Sequence, residues 1–463
     1  MKKSINPLLP LYEYIPDVEA RVYPGSDGKE RLFLYGSHDL FPNTNWCSWQ
    51  YRVYSAPLDD LADWTDHGVS FASRKGEGYI WNGEDSDGVS WSDERLYAPD
   101  VLQIDDRYWM VSCLAGGGLG MSFSDRPEGP FCPAQQIIYD DGEPLGSIDP
   151  ALYAENGRVY LLWGQSRKFG AEGLTGIELV QNDMGIYAVA LRSTKTYPFG
   201  DADNPDQGFG FYEGISIRKI GNTYYVIYPS DKGKGVHTMS YATAENPLGP
   251  YVFRGNLLEN DGCDLMSGNN HGSLCEVNGK WYLFYHRGTG NSNMQRKVCA
   301  ERLELMEDGT FRMAVMTNHG LGGPQSPYEV MEAAYATHVR LEGFEKGCYI
   351  EEKTQKLHPL VHITNGCCVE YRDFDFTEKK NRLQFEAEVL PISGGKIKIF
   401  ADQPDTHLIG VLEIPPEQKK EWKWFETKTS GLEGVHTIYL KFEGNPGEEI
   451  CELARFRWNP DGV

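Results

Sequence analysis

Five residues that can donate, accept or hold a proton open five similar stretches of this chain: Asp17, Asp100, Asp149, Glu213 and His271. Each precedes a short apolar run, a tight turn and an aromatic-rich run, as in "IDPALYAENGRVYLLWGQ" from Ile148. The openings lie 83, 49, 64 and 58 residues apart. Two carboxyl groups of unequal pKa can cleave a glycosidic bond: one protonates the leaving oxygen while the other activates water or attacks the sugar. A third carboxylate nearby can keep the acid protonated by repulsion. Gathering like charges is costly and is tolerated mainly where function uses it. Asp17, Asp149 and Glu213 are therefore the candidate catalytic residues.

The elements that must position them follow from the repeat. Asn156-Gly157 between two apolar runs is a strong hairpin signal, because both turn residues must tolerate positive φ. Comparable units begin at Pro16, Ala98, Tyr212 and Asn270. "SDRPEGPF" and "ATAENPLGPY" look like turns between outer strands of such units. The period is too long for helical solenoids and suits four-stranded blades with loops. We expect an all-β chain: a five-bladed β-propeller over residues 1–325, its repeats spanning roughly 10–325, followed by a β-sandwich. In a propeller the innermost strands line one axis, so residues at one register of those strands converge at one mouth.

Composition narrows the partners. The 463 residues carry a net charge of −23, which argues against nucleic acid or an anionic membrane, since both need a basic footprint. A neutral ligand such as a sugar is indifferent to that charge. Aromatic residues at 13% suit a large β core or surfaces that stack on flat ligands. The N-terminus lacks an apolar signal core, and ten scattered cysteines have no C-x-x-C spacing. The expectation is a cytoplasmic protein with reduced thiols.

Taken together, "YIPDVEARVY", "YGSHD", "YAPDV", "SIDPALY", "YEGISIRKIGNTYY" and "NHGSLCEVNGKWYLFYH" resemble glycoside hydrolase family 43. That resemblance implies Asp17 as general base, Asp149 as the acid that modulates pKa and orients, and Glu213 as general acid. It implies that His271 sits near a central cation such as Ca²⁺ or its water shell, that Asp100 lines the sugar pocket, and that Arg296 approaches the sugar and the modulating acid. It also implies inversion at the anomeric carbon, with room for a water between base and acid. Trp46, Trp49, Trp81 and Trp91 crowd the connection between the first two units and are candidate pocket walls, with Trp81 assigned to substrate binding.

After "GLGGPQSPYE" the pattern changes to alternating strands over 330–463, read as one sandwich. It resembles a family 6 carbohydrate-binding module. Tyr371 and one of Trp422 or Trp424 match its stacking aromatics, while Glu452 and Ala454 stand where that family has Asn and Asp. The expectation is a sandwich packed structurally on the propeller. The function implied is an exo-acting hydrolase that releases terminal L-arabinofuranose or D-xylose from arabinoxylan oligosaccharides, with no organic cofactor. The alternatives are an endo-arabinanase, a fructosidase-like propeller, whose "NDPNG", "RDP" and "EC" motifs are absent, and a non-catalytic sugar-binding propeller.

Overall fold

The computed structural model describes residues 4–42, 45–75, 80–81, 84–85, 88–116, 118–200, 209–231, 235–264, 269–378, 383–417 and 419–459, with the backbone alone at 80–81 and 84–85. The hairpin chemistry read from the sequence is realised. Asn156 and Gly157 adopt φ 54° and 74°, and Asn278 and Gly279 adopt 51° and 71°. These paired positive angles twist with the strands they join. They set the register Glu155 to Arg158 in one hairpin and Val277 to Lys280 in the other.

Each hairpin extends into an antiparallel meander. The first sheet runs Glu19–Pro24, Glu30–Gly36, Gln50–Pro57 and Thr65–Ala72. The others start with Asp100–Ile104, Ala151–Glu155, Ser216–Ile220 and Ser273–Val277 as their first strands. Three of these four sheets have four strands, and the third adds Ile138–Tyr139 in parallel to its outer edge. Every sheet shares an apolar core with the next. Trp109 and Val111 pack with Leu152 and Leu161, and Leu162 packs with Ile217 and Val226. The first sheet's Leu32 and Leu34 share a core with Val277 and Phe284 of the fifth. The first strands of neighbouring sheets are in contact, including those of the first and fifth.

The C-terminal strands form two further sheets. One is ordered Tyr349–Ile350, Leu360–Thr364, Glu449–Asn459, Leu383–Pro391, Lys423–Thr429; the other is Cys368–Asp375, Val435–Glu443, Gly395–Ala401, Leu408–Ile414. "LQFEAEVLP" alternates buried and half-buried residues along its whole length, as a sheet with one core face requires. Phe385, Phe456, Trp458 and Ile399 fill the space between the two sheets. Tyr371 is part of that core. It is fully buried, lies edge-on to Phe456 at 4.8 Å and donates its hydroxyl to Ala333 O at 3.0 Å. The sugar-stacking position that the resemblance matches to Tyr371 is therefore a core position here, since no ring face is left for a ligand. Trp424 is exposed.

The junction between the two parts is polar and specific. Val339 N donates to Gly262 O at 2.9 Å, and Tyr14 Oη donates to Glu352 Oε2 at 2.5 Å. The buried Asn318 serves three partners: its Oδ1 accepts from Thr337 Oγ1 at 2.7 Å and from Arg372 N at 2.6 Å, and its Nδ2 donates to Tyr335 O. Replacing Asn318 with Ala strands these groups. Each buried unpaired polar group costs about 1–3 kcal/mol, so Asn318→Ala should lower the thermal midpoint clearly. An unchanged midpoint would show that this junction does not hold the two parts together.

Candidate active site

The first strand of four sheets is preceded by a residue whose side chain reaches one shared cavity. Asp17 and Asp149 sit two positions before their strands in the left-handed region, at φ 57° and 51°. Such angles are uncommon for a residue with a Cβ, although Asp tolerates them better than most. Glu213 comes from the fourth sheet and His271 from the fifth. Gly214 follows Glu213 at φ 64°, and a Cβ there would lie 2.6 Å from the His271 ring. Only glycine lets acid and imidazole approach this closely.

Asp17, Asp149, Glu213, His271 and Arg296 line this one cavity of about 400 Å³. Arg296 Nη1 donates to Asp17 Oδ1 at 2.8 Å, and its Nε and Nη2 grip Asp39 at 2.9 Å each. The Ser37 hydroxyl donates to Asp17 Oδ2 at 2.7 Å. His286 Nδ1 lies 3.4 Å from Asp17 Oδ1, and His271 Nδ1 lies 3.9 Å from Asp17 and 3.8 Å from Asp149. Gln165 Nε2 donates to Glu213 Oε2 at 3.3 Å.

Burial alone would raise every carboxyl here, but charges separate them. At Asp17 burial is outweighed by Arg296, His271, His286 and Ser37, and the carboxyl is held below its usual value. Burial pushes Glu213 up to about 7, and the negative charge of Asp17 adds to the rise. Asp149 is driven well above its usual value by burial and then by repulsion from Glu213 and Asp17. Burial, ahead of repulsion from Asp17, is thus the leading reason that Glu213 keeps its proton. His286 is pushed down to about 3 by burial, and His271 is lowered for the same reason. Arg296 therefore faces four carboxyl groups with two neutral imidazoles beside it.

Other expected site residues fall elsewhere. Asp100 is fully buried outside the cavity, paired with Arg21 at 2.9 Å and accepting from Leu152 N at 2.7 Å. Its strand begins at Asp100 itself, so Ala98 occupies the position equivalent to Asp149. The expected pocket role of Asp100 is corrected by that two-residue offset. The side chain of Trp81 lies outside the described residues. Trp46 does line the cavity, with the Arg296 guanidinium 4.7 Å from its ring centre, whereas Trp49 is stacked under Arg74 at 3.5 Å and Trp91 packs against Gly120. Arg296 binds the candidate base, where the resemblance implied the modulating acid.

Ca²⁺ takes six to eight oxygen ligands. Among the described residues no group of three His, Cys, Asp or Glu side chains could hold a metal ion. One imidazole beside a carboxylate already held by a guanidinium does not fit a directly ligated Ca²⁺ at His271. Asp39, Ser37, His286 and Gln165 escaped the sequence reading. Asp39 lay inside the quoted "YGSHD" and Gln165 closed the stretch from Ile148, so position within a motif was the available signal.

Carboxyl groups of divided pKa in a buried cavity make an acid–base site suited to cleaving glycosidic bonds. The chain belongs to glycosyl hydrolases family 43, whose model matches residues 40–311, and a carbohydrate binding module (family 6) model matches 343–459. It is a glycoside hydrolase. It is 34% identical to a xylosidase/arabinosidase of Thermoclostridium stercorarium over 96% of this chain and 97% of that one. An arabinoxylan arabinofuranohydrolase of Bacillus subtilis is 27% identical over 91% of this chain and 85% of its own. Among solved structures, a family 43 arabinoxylan arabinofuranohydrolase from Bacillus subtilis with cellotetraose superposes with TM-score 0.52 at 22% identity, covering 99% of this chain and 98% of that one.

The Gln165 hydrogen bond favours the charged form of Glu213 and so restrains its rise. The acid form prevails below about pH 7 and is lost as pH rises through that value. Activity should therefore fall on the alkaline side near pH 7, and Gln165→Leu should move that limb upward. A limb that stays put or moves down in the pH–rate profile would show that Gln165 does not tune this acid.

Proposed function

We propose that the enzyme is an inverting exo-glycosidase releasing terminal L-arabinofuranose, D-xylose or both from arabinoxylan-type oligosaccharides. The observation that carries this reading is the division of carboxyl groups in one cavity, Asp17 ionised beside Arg296 and Glu213 raised to about 7. Asp17 takes a proton from water, whose oxygen attacks the anomeric carbon. Glu213 gives its proton to the departing oxygen and is left as carboxylate. Asp149 lines the same cavity with its carboxyl raised, and burial together with the charge of Asp17 keeps Glu213 from ionising early. The names of the relatives over nearly the full chain support the pentose substrate.

Within the first strands, Arg21 pairs with Asp100, and Arg218 pairs with Glu19 at 2.7 Å, so a buried ionic layer joins three of the sheets. The exo reading over an endo-arabinanase is supported by the relatives matched over nearly the full chain, named xylosidase/arabinosidase and arabinoxylan arabinofuranohydrolase. The five shared cores and the contact between first and fifth sheets support a closed five-bladed propeller, and we place the division from the sandwich between 325 and 330. No helix among the described residues is long and apolar enough to cross a membrane. A cytoplasmic setting, acting on short imported oligosaccharides, is proposed with this reading on the cysteine pattern alone.

The test is a product screen with arabinoxylo-oligosaccharides, the first anomer formed being read by proton NMR. Inversion is expected; early accumulation of the retained anomer would rule out direct attack by water. Asp17→Asn should lose about 10²–10⁴-fold in turnover on every substrate. Glu213→Gln should lose a similar factor on oligosaccharides, whose alkoxide leaving group needs a proton, and far less on nitrophenyl pentosides. Equal losses on both substrate types would remove Glu213 as the acid.

A further inference from the structure

Asp17 and the Arg296 that holds it each lie close in the chain to a buried contact that involves the sandwich. Tyr14, three residues before Asp17, donates its hydroxyl across the junction to Glu352 Oε2 at 2.5 Å. Lys297 follows Arg296 on the strand Ser292–Leu305. Its ammonium stands 3.7 Å from the centre of the same Tyr14 ring and donates to Leu11 O. Nothing in the mechanism above uses Glu352, Tyr14 or Lys297.

Tyr14 and Lys297 are each 3% exposed and the Glu352 side chain 9%, so water screens their contacts little. Burial pushes Lys297 down to about 7, and Glu352 restrains that fall ahead of Glu13 and Cys299. Burial also holds the Tyr14 hydroxyl far above its usual value, and Glu352 adds to the rise, so Tyr14 keeps its proton and donates it. His358 Nε2 stands 3.5 Å from Glu352 Oε2 and is neutral, pushed down to about 4 by burial and by Lys297. Tyr14 is thus held by its ring on the ammonium and by its hydroxyl on the carboxylate.

That clamp reaches the site through the backbone. Tyr14 O accepts from Asp39 N at 2.9 Å, and Asp39 grips Arg296. The stretch from Tyr14 to Asp17 is therefore anchored at both ends, by Glu352 and Lys297 on the ring and by Arg296 on the carboxylate. Between these anchors Asp17 sits at φ 57°, an angle that persists only where the surroundings over-determine it.

We propose that Glu352 is a positioning residue for the reaction: through Tyr14, the sandwich holds the Asp17 carboxylate on Arg296. The proposal rests on the reading of Asp17 as the base.

The experiment measures kcat, KM and the pH profile of kcat/KM on a nitrophenyl pentoside, with the whole chain and well below every variant's thermal midpoint. A misplacement of about 1 Å can cost about 10²-fold, so Glu352→Ala should lower kcat about tenfold or more with KM changed less than about threefold. The acidic limb should also move to higher pH. At Asp17 burial is outweighed by Arg296, with His271, His286 and Ser37, so a carboxylate less well seated takes up its proton at higher pH. Tyr14→Phe removes only the hydroxyl and should move kcat and the limb the same way, which keeps the test open if Glu352→Ala misfolds. The double variant should lose no more than the larger single loss, because both changes act through one hydrogen bond. Asn318→Ala weakens the junction elsewhere and should leave the acidic limb in place. A lowered thermal midpoint with wild-type kcat and acidic limb in Glu352→Ala and Tyr14→Phe would overturn the proposal. An equal movement of the limb in Asn318→Ala would overturn it too. Asp17→Asn separates the two readings. If that variant keeps wild-type kcat, the base assignment falls and this proposal with it; if it is inactive while Glu352→Ala and Tyr14→Phe match wild type, this proposal alone falls.

Discussion

One guanidinium organises the centre of this molecule. Arg296 is buried between Asp17 and Asp39 and donates to both. Four carboxyl groups stand in or beside the cavity with this single permanent cation among them, because burial keeps His271 and His286 neutral. A dry site cannot hold four negative charges against one positive charge, so protons must be retained. Contact with Arg296 alone does not decide where, since Asp39 accepts from two of its nitrogens and is still raised by burial. Asp17 is held down because His271, His286 and Ser37 act on it together with Arg296, while burial pushes Glu213 and Asp149 up. Removing one partner of a buried pair such as Asp17 with Arg296 typically costs about 3–5 kcal/mol, so the site and the fold share this constraint.

A second ionic layer joins the first strands of four sheets. Glu19, Arg21, Asp100 and Arg218 pair there, and the Ser273 hydroxyl accepts from Ala20 N at 2.9 Å. The layer also explains the misplacement of Asp100. Side chains along a strand repeat every two residues, so Asp100 and a residue two positions earlier point to the same side. Sequence pattern distinguishes the two faces of a strand but not the depth along it. "YAPDV" and "SIDPA" therefore look aligned on their aspartates, when the strand starts align Ala98 with Asp149. The units, their hairpins and three of the carboxylates were legible because each depends on local turn chemistry. Asp39, His286 and Gln165 were not, because they reach Arg296, Asp17 and Glu213 from second strands and loops whose placement depends on packing between sheets.

The sandwich shows the same limit in apolar form. Alternation predicted its strands, including "LQFEAEVLP", but Tyr371 was matched to a ligand-stacking role by likeness of type alone. Whether an aromatic residue on a strand faces ligand or core depends on which face the partner sheet covers. Here Phe456 and the Ala333 carbonyl use the ring and hydroxyl of Tyr371 for the core. The other sheet, which carries Phe456, bears ladders of charge on its strands Leu383–Pro391 and Glu449–Asn459: Glu388 with Arg455 at 2.6 Å and Glu386 with Arg457 at 2.8 Å. Trp424 projects there beside Arg457, 5.6 Å from the guanidinium. The sandwich contributes its own core and a polar junction to the neighbouring sheets, in keeping with a packing role.

Backbone strain completes the account of how the site is held open without substrate. Asp17 and Asp149 both occupy the left-handed region immediately before a first strand, at an intrinsic cost of about 1–2 kcal/mol each. Neither angle is local preference. Each is imposed because the following strand is locked into its sheet by the paired register, Glu19 to Tyr35 in one case and Ala151 to Leu162 in the other. The left-handed turn swings the carboxylate out of the strand and toward the shared mouth. Gly214 does the equivalent work for Glu213, where a side chain would collide with His271. Stability contributed by the cores between sheets is thus spent at three points around the cavity. The result is a set of charges already aimed before any sugar arrives, which is the condition under which fixed dipoles and charges stabilise a transition state without reorganising.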